Sequence, residues 1–123
     1  MITGSVNARR EAVISVDVLG PGTQRQAFGA VIDTGFSEFL TLPPREIAAL
    51  GLRRLGPVRM VLGDGSEDFL QVYQAIVIWD GARRSVDVHA ADSDPLIGMA
   101  MLVQHELRIR VVAGGNVTVE AMP

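Results

Sequence analysis

The residues best suited to chemistry are Asp33, Thr34 and Gly35, which directly follow an apolar run typical of a strand. A carboxylate at the end of a buried strand is poorly solvated, so it needs hydrogen-bond donors or a task that uses its protonation. Thr34 supplies a hydroxyl, and Gly35 lets the backbone turn sharply or approach another group closely. The three residues form a candidate for one half of a larger site.

Composition limits the class of protein. The chain has 123 residues, of which 48% are hydrophobic, and this predicts one compact domain over residues 1–123. No apolar run is long enough to span a membrane, and Met1 to Arg10 lack the apolar core of a signal peptide, so we expect a soluble, cytoplasmic protein. The absence of cysteine fits a reducing compartment, and a net charge of −3 offers no basic surface for nucleic acid.

Alternating apolar residues predict the elements that deliver Asp33. Ile2 to Val6 is a candidate short strand, and Ala12 to Leu19 alternates apolar and polar side chains as a half-buried strand does. Gly20 to Thr23 contains turn residues, after which Gln26 to Ile32 predicts a returning strand that becomes apolar on both faces near Asp33.

A second hairpin follows a short helix, which Pro43-Pro44 begins and Gly51 ends. Val58 to Leu62 and Phe69 to Ile78 are predicted strands on either side of the glycine-rich turn 63–66, whose Asp-Gly pair favours a tight hairpin. A long hairpin with a polar, glycine-rich tip predicts a mobile flap.

The remaining chain predicts a strand over Arg84 to Ala90, a second apolar strand end at Leu96-Ile97-Gly98, a short helix over Met99 to Gln104, and a terminal hairpin over Leu107 to Glu120. Met99 and Met101 are expected to fill the core. We expect eight strands and two short helices, in an all-β (mainly β) fold with a closed or nearly closed barrel.

Four strings of residues together resemble one family. They are Val-Ile-Asp-Thr-Gly-Phe (31–36), Leu-Thr-Leu-Pro (40–43), Leu-Gly-Asp-Gly-Ser (62–66) and Pro-Leu-Ile-Gly-Met (95–99). In this order they resemble the retropepsin-like aspartic peptidases, most closely the small single-domain bacterial proteases of clan AA. The resemblance covers nearly the whole chain and implies a retropepsin-like acid-protease barrel.

The resemblance implies a homodimeric aspartic endopeptidase, because one chain carries one catalytic Asp and the reaction takes two. Asp33 of each subunit would face its counterpart across a shared water on the twofold axis. Two such carboxylates share one proton, so one activates the water while the other hydrogen-bonds the scissile carbonyl. Neither a cofactor nor a metal is implied, and the substrate is an extended peptide or unfolded protein.

The resemblance also implies a role for each neighbouring residue. Thr34 would hydrogen-bond across the dimer, and the Gly35 carbonyl would approach the substrate backbone. The hairpin tip, Gly63, Asp64, Gly65 and Ser66, would bind substrate from above. The structural support beneath the Asp33 loop would come from Leu96, Ile97 and Gly98.

The chain departs from the viral members of the family in a matched pair of positions. Many of them place a second Asp where this chain has Ser37 and an Arg where it has Met99, and the two support each other. Losing both members of an ion pair costs far less than losing one. The flap tip is also more acidic here, which disfavours acidic peptides, and the terminal hairpin 107–120 is longer and predicts a different dimer interface.

Simpler structural interpretations of these features stay open. Asp33 can be a turn acid that caps backbone amides, and the protein can be a non-catalytic dimeric β-barrel module that binds an extended peptide or a partner protein by strand addition. Asp80, Asp92 and Asp94 lack the spacing of a calcium loop. His89 and His105 are isolated and lack metal-ligand spacing.

Overall fold

Strands dominate the computed structural model, which describes residues 1–61 and 63–123 and is 55% strand and 9% helix. The predictions of a mainly β fold and of two short helices are confirmed. The expected count of eight strands is too low, because β4 and β8 are only three and two residues long. The elements of the described chain are β1 Ile2–Val6, β2 Ala12–Leu19, β3 Arg25–Ile32, β4 Leu40–Leu42, α1 Pro44–Leu50, β5 Arg53–Val61, β6 Glu67–Trp79, β7 Ala82–Ala90, β8 Leu96–Ile97, α2 Met99–Leu102, β9 His105–Ile109 and β10 Asn116–Ala121.

Six of these strands close into a barrel, as predicted, in the order β2-β3-β8-β4-β7-β6. The ring closes where β6 pairs back onto β2, from Asp17 opposite Ile78 to Leu19 opposite Ile76. Every second side chain of β2 is buried in the core, as the pattern predicts, and burial of Ile14, Val16 and Val18 contributes about 1.5–3 kcal/mol each. Outside the ring, β5 extends from β6, and β1, β10 and β9 continue from β2 as a row that ends at β9.

The first helix begins and ends where the sequence predicts. Pro44 occupies its first turn, and Gly51 ends it with a left-handed φ of 65°, which glycine adopts without steric cost. Ile47 and Leu50 are its buried residues, so α1 packs on the core next to the β2–β3 turn, where Gly20 lies against the Leu50 carbonyl.

The second helix is shorter than predicted and ends before Val103, which is extended. Met101 is fully buried, as expected, but the prediction for Met99 is wrong because that residue is 46% exposed. Arg84 supports the helix end by donating to the Met101 carbonyl at 3.0 Å, with its guanidinium 5.4 Å from the centre of the Phe39 ring. Neither helix of the described chain is long and apolar enough to cross a membrane.

Strands β5 and β6 form the second hairpin. β5 begins at Arg53, five residues before the predicted start at Val58, and its predicted last residue, Leu62, lies outside the described residues. The pairing with β6 shifts between Arg54 and Gly56, and Gly56 has a φ of 136° that favours glycine. The first half of β6 therefore pairs with β5, and its second half belongs to the barrel through its pairing with β7 and β2.

Candidate active site

Asp33 leaves β3 at the point where that strand pairs with β8. The two strands are parallel, with Val31 opposite Leu96 and Ile32 opposite Ile97, and the Asp33 amide donates to the Ile97 carbonyl at 2.8 Å. The two apolar strand ends that the sequence singles out, far apart in the chain, thus lie side by side in the barrel wall. β8 is anchored in turn by β4, where Leu40 lies opposite Ile97.

The Asp33 carboxylate is held by its own loop. The Gly35 amide donates to Asp33 Oδ1 at 2.9 Å, and the Phe36 amide donates to the Asp33 carbonyl at 3.1 Å. Asp33 itself is half-buried. Its second oxygen, Oδ2, accepts no hydrogen bond from the residues that the structure describes, so it is available to a water or to another carboxyl group.

Gly98 lies directly beneath this loop. Its amide donates to the Phe39 carbonyl at 3.1 Å, and the Met99 amide donates to the Phe36 carbonyl at 2.8 Å. A Cβ atom at Gly98 would lie 2.1 Å from the Glu38 carbonyl oxygen, which no real packing allows. Only glycine therefore fits here without displacing the loop, and these backbone hydrogen bonds join the loop to Gly98 and Met99.

The burial of two polar residues near the site was not predicted, and His89, expected as a surface residue of its strand, is 3% exposed. Thr41 is buried in β4, and its hydroxyl accepts a hydrogen bond from the Leu96 amide at 2.9 Å, which fixes the start of β8. His89 pairs with Thr41 across β7 and β4 and packs edge-on against Phe36, with 6.0 Å between the ring centres. A polar residue within the apolar Leu-Thr-Leu string was the available signal for Thr41.

Asp33 opens into a surface pocket of about 410 Å³. Asp33, Thr34 and Leu96 line it, whereas none of Gly63 to Ser66 is among its described lining residues. Six lining residues were not anticipated, because they come from parts of the chain distant from Asp33. They are Val6, Arg10, Glu11, Ala12, Ile109 and Val111.

The β1–β2 turn brings charge to this pocket. Asn7 Oδ1 accepts hydrogen bonds from the Arg9 and Glu11 amides at 3.0 Å each, and Asn7 Nδ2 donates to the Glu11 carboxylate at 2.9 Å. Arg10 is held at a φ of 62° within this turn. A larger depression of about 670 Å³ lies along 92–95 and the start of α1, but the Asp33 loop does not line it, so the smaller pocket is the candidate site.

The tip of the β5–β6 hairpin carries a fixed negative charge. The Ser66 hydroxyl donates to Asp64 Oδ1 at 2.6 Å and the Ser66 amide donates to the same oxygen at 2.9 Å. These two bonds, the hydroxyl first, lower the pKa of the Asp64 carboxyl below its ordinary value. The carboxylate therefore stays charged to a lower pH than an ordinary Asp.

The described residues contain no group of three or more His, Cys, Asp or Glu side chains that could hold a metal ion. The chain matches no protein-family model, and no curated protein matches it either.

Proposed function

We propose that the protein is a retropepsin-like aspartic endopeptidase that acts as a homodimer. The observation that carries this proposal is Asp33, a single carboxylate held by backbone at the end of a barrel strand, with Oδ2 unbonded by the described residues and a surface pocket in front of it. Hydrolysis by the aspartic-peptidase mechanism needs two carboxyl groups in different protonation states. A second copy of the chain would supply the other.

The chemistry follows from two Asp33 side chains that share one proton, as in aspartic proteases generally. The ionised carboxylate accepts a proton from the bound water as the water oxygen attacks the carbonyl carbon. The protonated carboxyl donates its hydrogen bond, and then its proton, to the carbonyl oxygen. Transfer of a proton to the amide nitrogen lets the C–N bond break, and the products are a free acid and a free amine.

The loop around Asp33 suits this task because it is rigid. The bond from the Gly35 amide orients the carboxylate, and Gly98 holds the loop from below by close packing. Thr34 is exposed at the same pocket, where its hydroxyl is accessible to a second copy. Preorganisation of this kind lowers the cost of reaching the reactive geometry.

Substrate would bind as an extended segment beneath the β5–β6 hairpin. Val61 and Phe69 are exposed apolar residues on that hairpin, and the backbone of a peptide strand needs donors and acceptors on both sides. The fixed charge of Asp64 at the tip favours peptides that carry basic residues.

The decisive test is Asp33→Asn, assayed on a library of extended peptides. We expect cleavage to fall about 10³-fold, since positioned acid–base groups contribute roughly 10²–10⁴. The dimer should persist, because Asn keeps the Gly35 hydrogen bond. Asp87→Asn, an exposed acid on β7, is the matched control and should retain full activity. Equal cleavage by Asp33→Asn would rule out the proposal.

A non-catalytic peptide-binding module is the second candidate, and the exposed apolar residues of the hairpin favour it. This candidate predicts that extended peptides bind to the hairpin and are released uncleaved at any pH. Cleavage that depends on Asp33 excludes this candidate.

A further inference from the structure

Strand β9 ends the row β2-β1-β10-β9, and no described residue pairs with its outer edge. The direction of its backbone groups follows from two hydrogen bonds to the β10 side: the Arg110 amide donates to Asn116, and the Met122 amide donates to Gln104. Because backbone groups alternate along a strand, even-numbered residues of β9 point their N–H and C=O groups at β10. The odd-numbered residues 105, 107 and 109 point theirs outwards.

An open edge is a template for another strand, and natural proteins often block it with charged side chains, proline, a bulge or a covering element. The charges on β9 are of opposite sign and can therefore pair with a second copy of the same strand: Glu106 and Arg108 are exposed on one face and joined by a hydrogen bond of 2.8 Å. On its other face, Leu107 and Ile109 are apolar. Ile109 is 38% exposed, Val111 just after the strand is 66% exposed, and both line the pocket that contains Asp33.

We propose that β9 pairs antiparallel with β9 of a second copy, about a twofold axis through Leu107. This register forms about six interchain hydrogen bonds, through residues 105, 107 and 109. It also places Glu106 of each copy directly opposite Arg108 of the partner subunit, where side chains approach most closely. The three strands β1, β10 and β9 of both copies then form one continuous sheet.

A neighbouring register can be compared with this one. An axis through Arg108 would form about four hydrogen bonds and would set Arg108 against its own copy, which is a like-charge contact. An axis through Ile109 would set Arg108 against Arg110 of the partner subunit. The charges and the edge hydrogen bonds therefore favour the same register, that centred on Leu107.

The β9–β9 pairing rests on the proposed function and extends it, since β9 would be the surface through which a second copy contributes its Asp33 to the site. The apolar face of β9 runs into the pocket at Ile109 and Val111, so the joined strands would floor the site shared by the two copies. The test of this pairing does not depend on peptide cleavage. Failure of the β9–β9 pairing and failure of the proposed protease activity can therefore be told apart.

Cysteine cross-linking reads the register directly, because the chain has no cysteine of its own. In the double variant Glu106→Cys/Arg108→Cys, opposed Cα atoms would lie about 4.5 Å apart, within the range of a disulfide. We expect a covalent dimer under mild oxidation for the double variant and almost none for either single variant, whose copies would lie about 8 Å apart. Cross-linking by Arg108→Cys alone, or a double variant that stays uncross-linked, would overturn the proposed pairing.

A charge exchange gives a second measurement that needs no oxidation. Glu106→Arg should raise the dimer dissociation constant at least about tenfold, since it sets arginines against each other, and Glu106→Arg/Arg108→Glu should restore it to within about threefold. Asp87→Arg, an equal change of charge on β7, is the control and should leave the constant unaltered. A protein that sedimentation shows to be monomeric at high concentration, or a double exchange that fails to restore association, contradicts the proposal.

Discussion

Replacing Gly98 with alanine is expected to displace the Asp33 loop from β8. The new Cβ atom would lie 2.1 Å from the Glu38 carbonyl oxygen and 2.6 Å from both the carbonyl oxygen and Cδ2 of Phe36. Since uncrowded carbon contacts are about 3.5 Å, the loop must move by about 1 Å. The backbone bonds from Gly98 and Met99 to this loop would lengthen or break.

The expected cost has two parts. Overpacking of this kind costs about 1–3 kcal/mol, and each of the two weakened backbone hydrogen bonds adds about 1 kcal/mol, so we expect a loss of about 3–5 kcal/mol in the free energy of unfolding. A displacement of about 1 Å in a reacting group also costs about 10²-fold in rate. The rate of peptide cleavage by folded Gly98→Ala should therefore fall about 100-fold.

Gly20→Ala is the matched control. Its Cβ would lie 1.9 Å from the Leu50 carbonyl oxygen, an equally severe contact at the β2–β3 turn, which is the opposite end of β3 from the Asp33 loop. Urea unfolding should show a comparable loss of stability in both variants. The amide resonance of Gly35, which reports the bond to Asp33, should move in Gly98→Ala and stay in place in Gly20→Ala. If Gly98→Ala kept both the Gly35 resonance and wild-type activity, the proposed support of the site by close packing would be wrong.

Three smaller changes test other parts of the structure. Gly51→Ala should lower the free energy of unfolding by about 1 kcal/mol in urea titration, because its φ of 65° strains any residue with a Cβ. Ser66→Ala should raise the pKa of Asp64 towards its ordinary value in an NMR titration, and an unchanged titration would contradict the hydrogen-bonded tip. Because the folded pKa of Asp64 is lowered, its contribution to stability is present above the ordinary Asp pKa and is lost as pH falls through the folded value. His89→Leu should leave thermal stability equal or higher, since His89 Nδ1 is buried without a hydrogen-bond partner among the described residues; a large loss would reveal a missing partner.

Strong local patterns allowed much of the barrel to be predicted. The alternation of apolar and polar residues predicts β2 within a few residues, and the proline and glycine at its two ends do the same for α1. β8 has only two residues, too few for any period, so it was visible only as an apolar string before a glycine. The start of β5 was predicted too late because two consecutive arginines, Arg53 and Arg54, were interpreted as exposed turn or strand-end residues. Their backbone pairs with β6.

The pocket residues that the sequence did not predict were missed for a different reason. Arg10, Ile109 and Val111 reach the Asp33 pocket through the order of strands in the sheet, which no local pattern encodes. Thr41 acts through one side-chain bond to an amide far along the chain. Such contacts follow from tertiary pairing, and they become predictable only once the closure of the barrel is known.

The parallel pairing of β3 with β8 also sets when the site can exist during biosynthesis. Asp33 is made early, but its amide partner Ile97 and the glycine beneath its loop are made late. Contacts between distant parts of a chain form slowly and only after both parts have left the ribosome. A nascent chain that ends before β8 therefore has the acid without its support, and the ordered carboxylate appears only after residue 98 has left the ribosome.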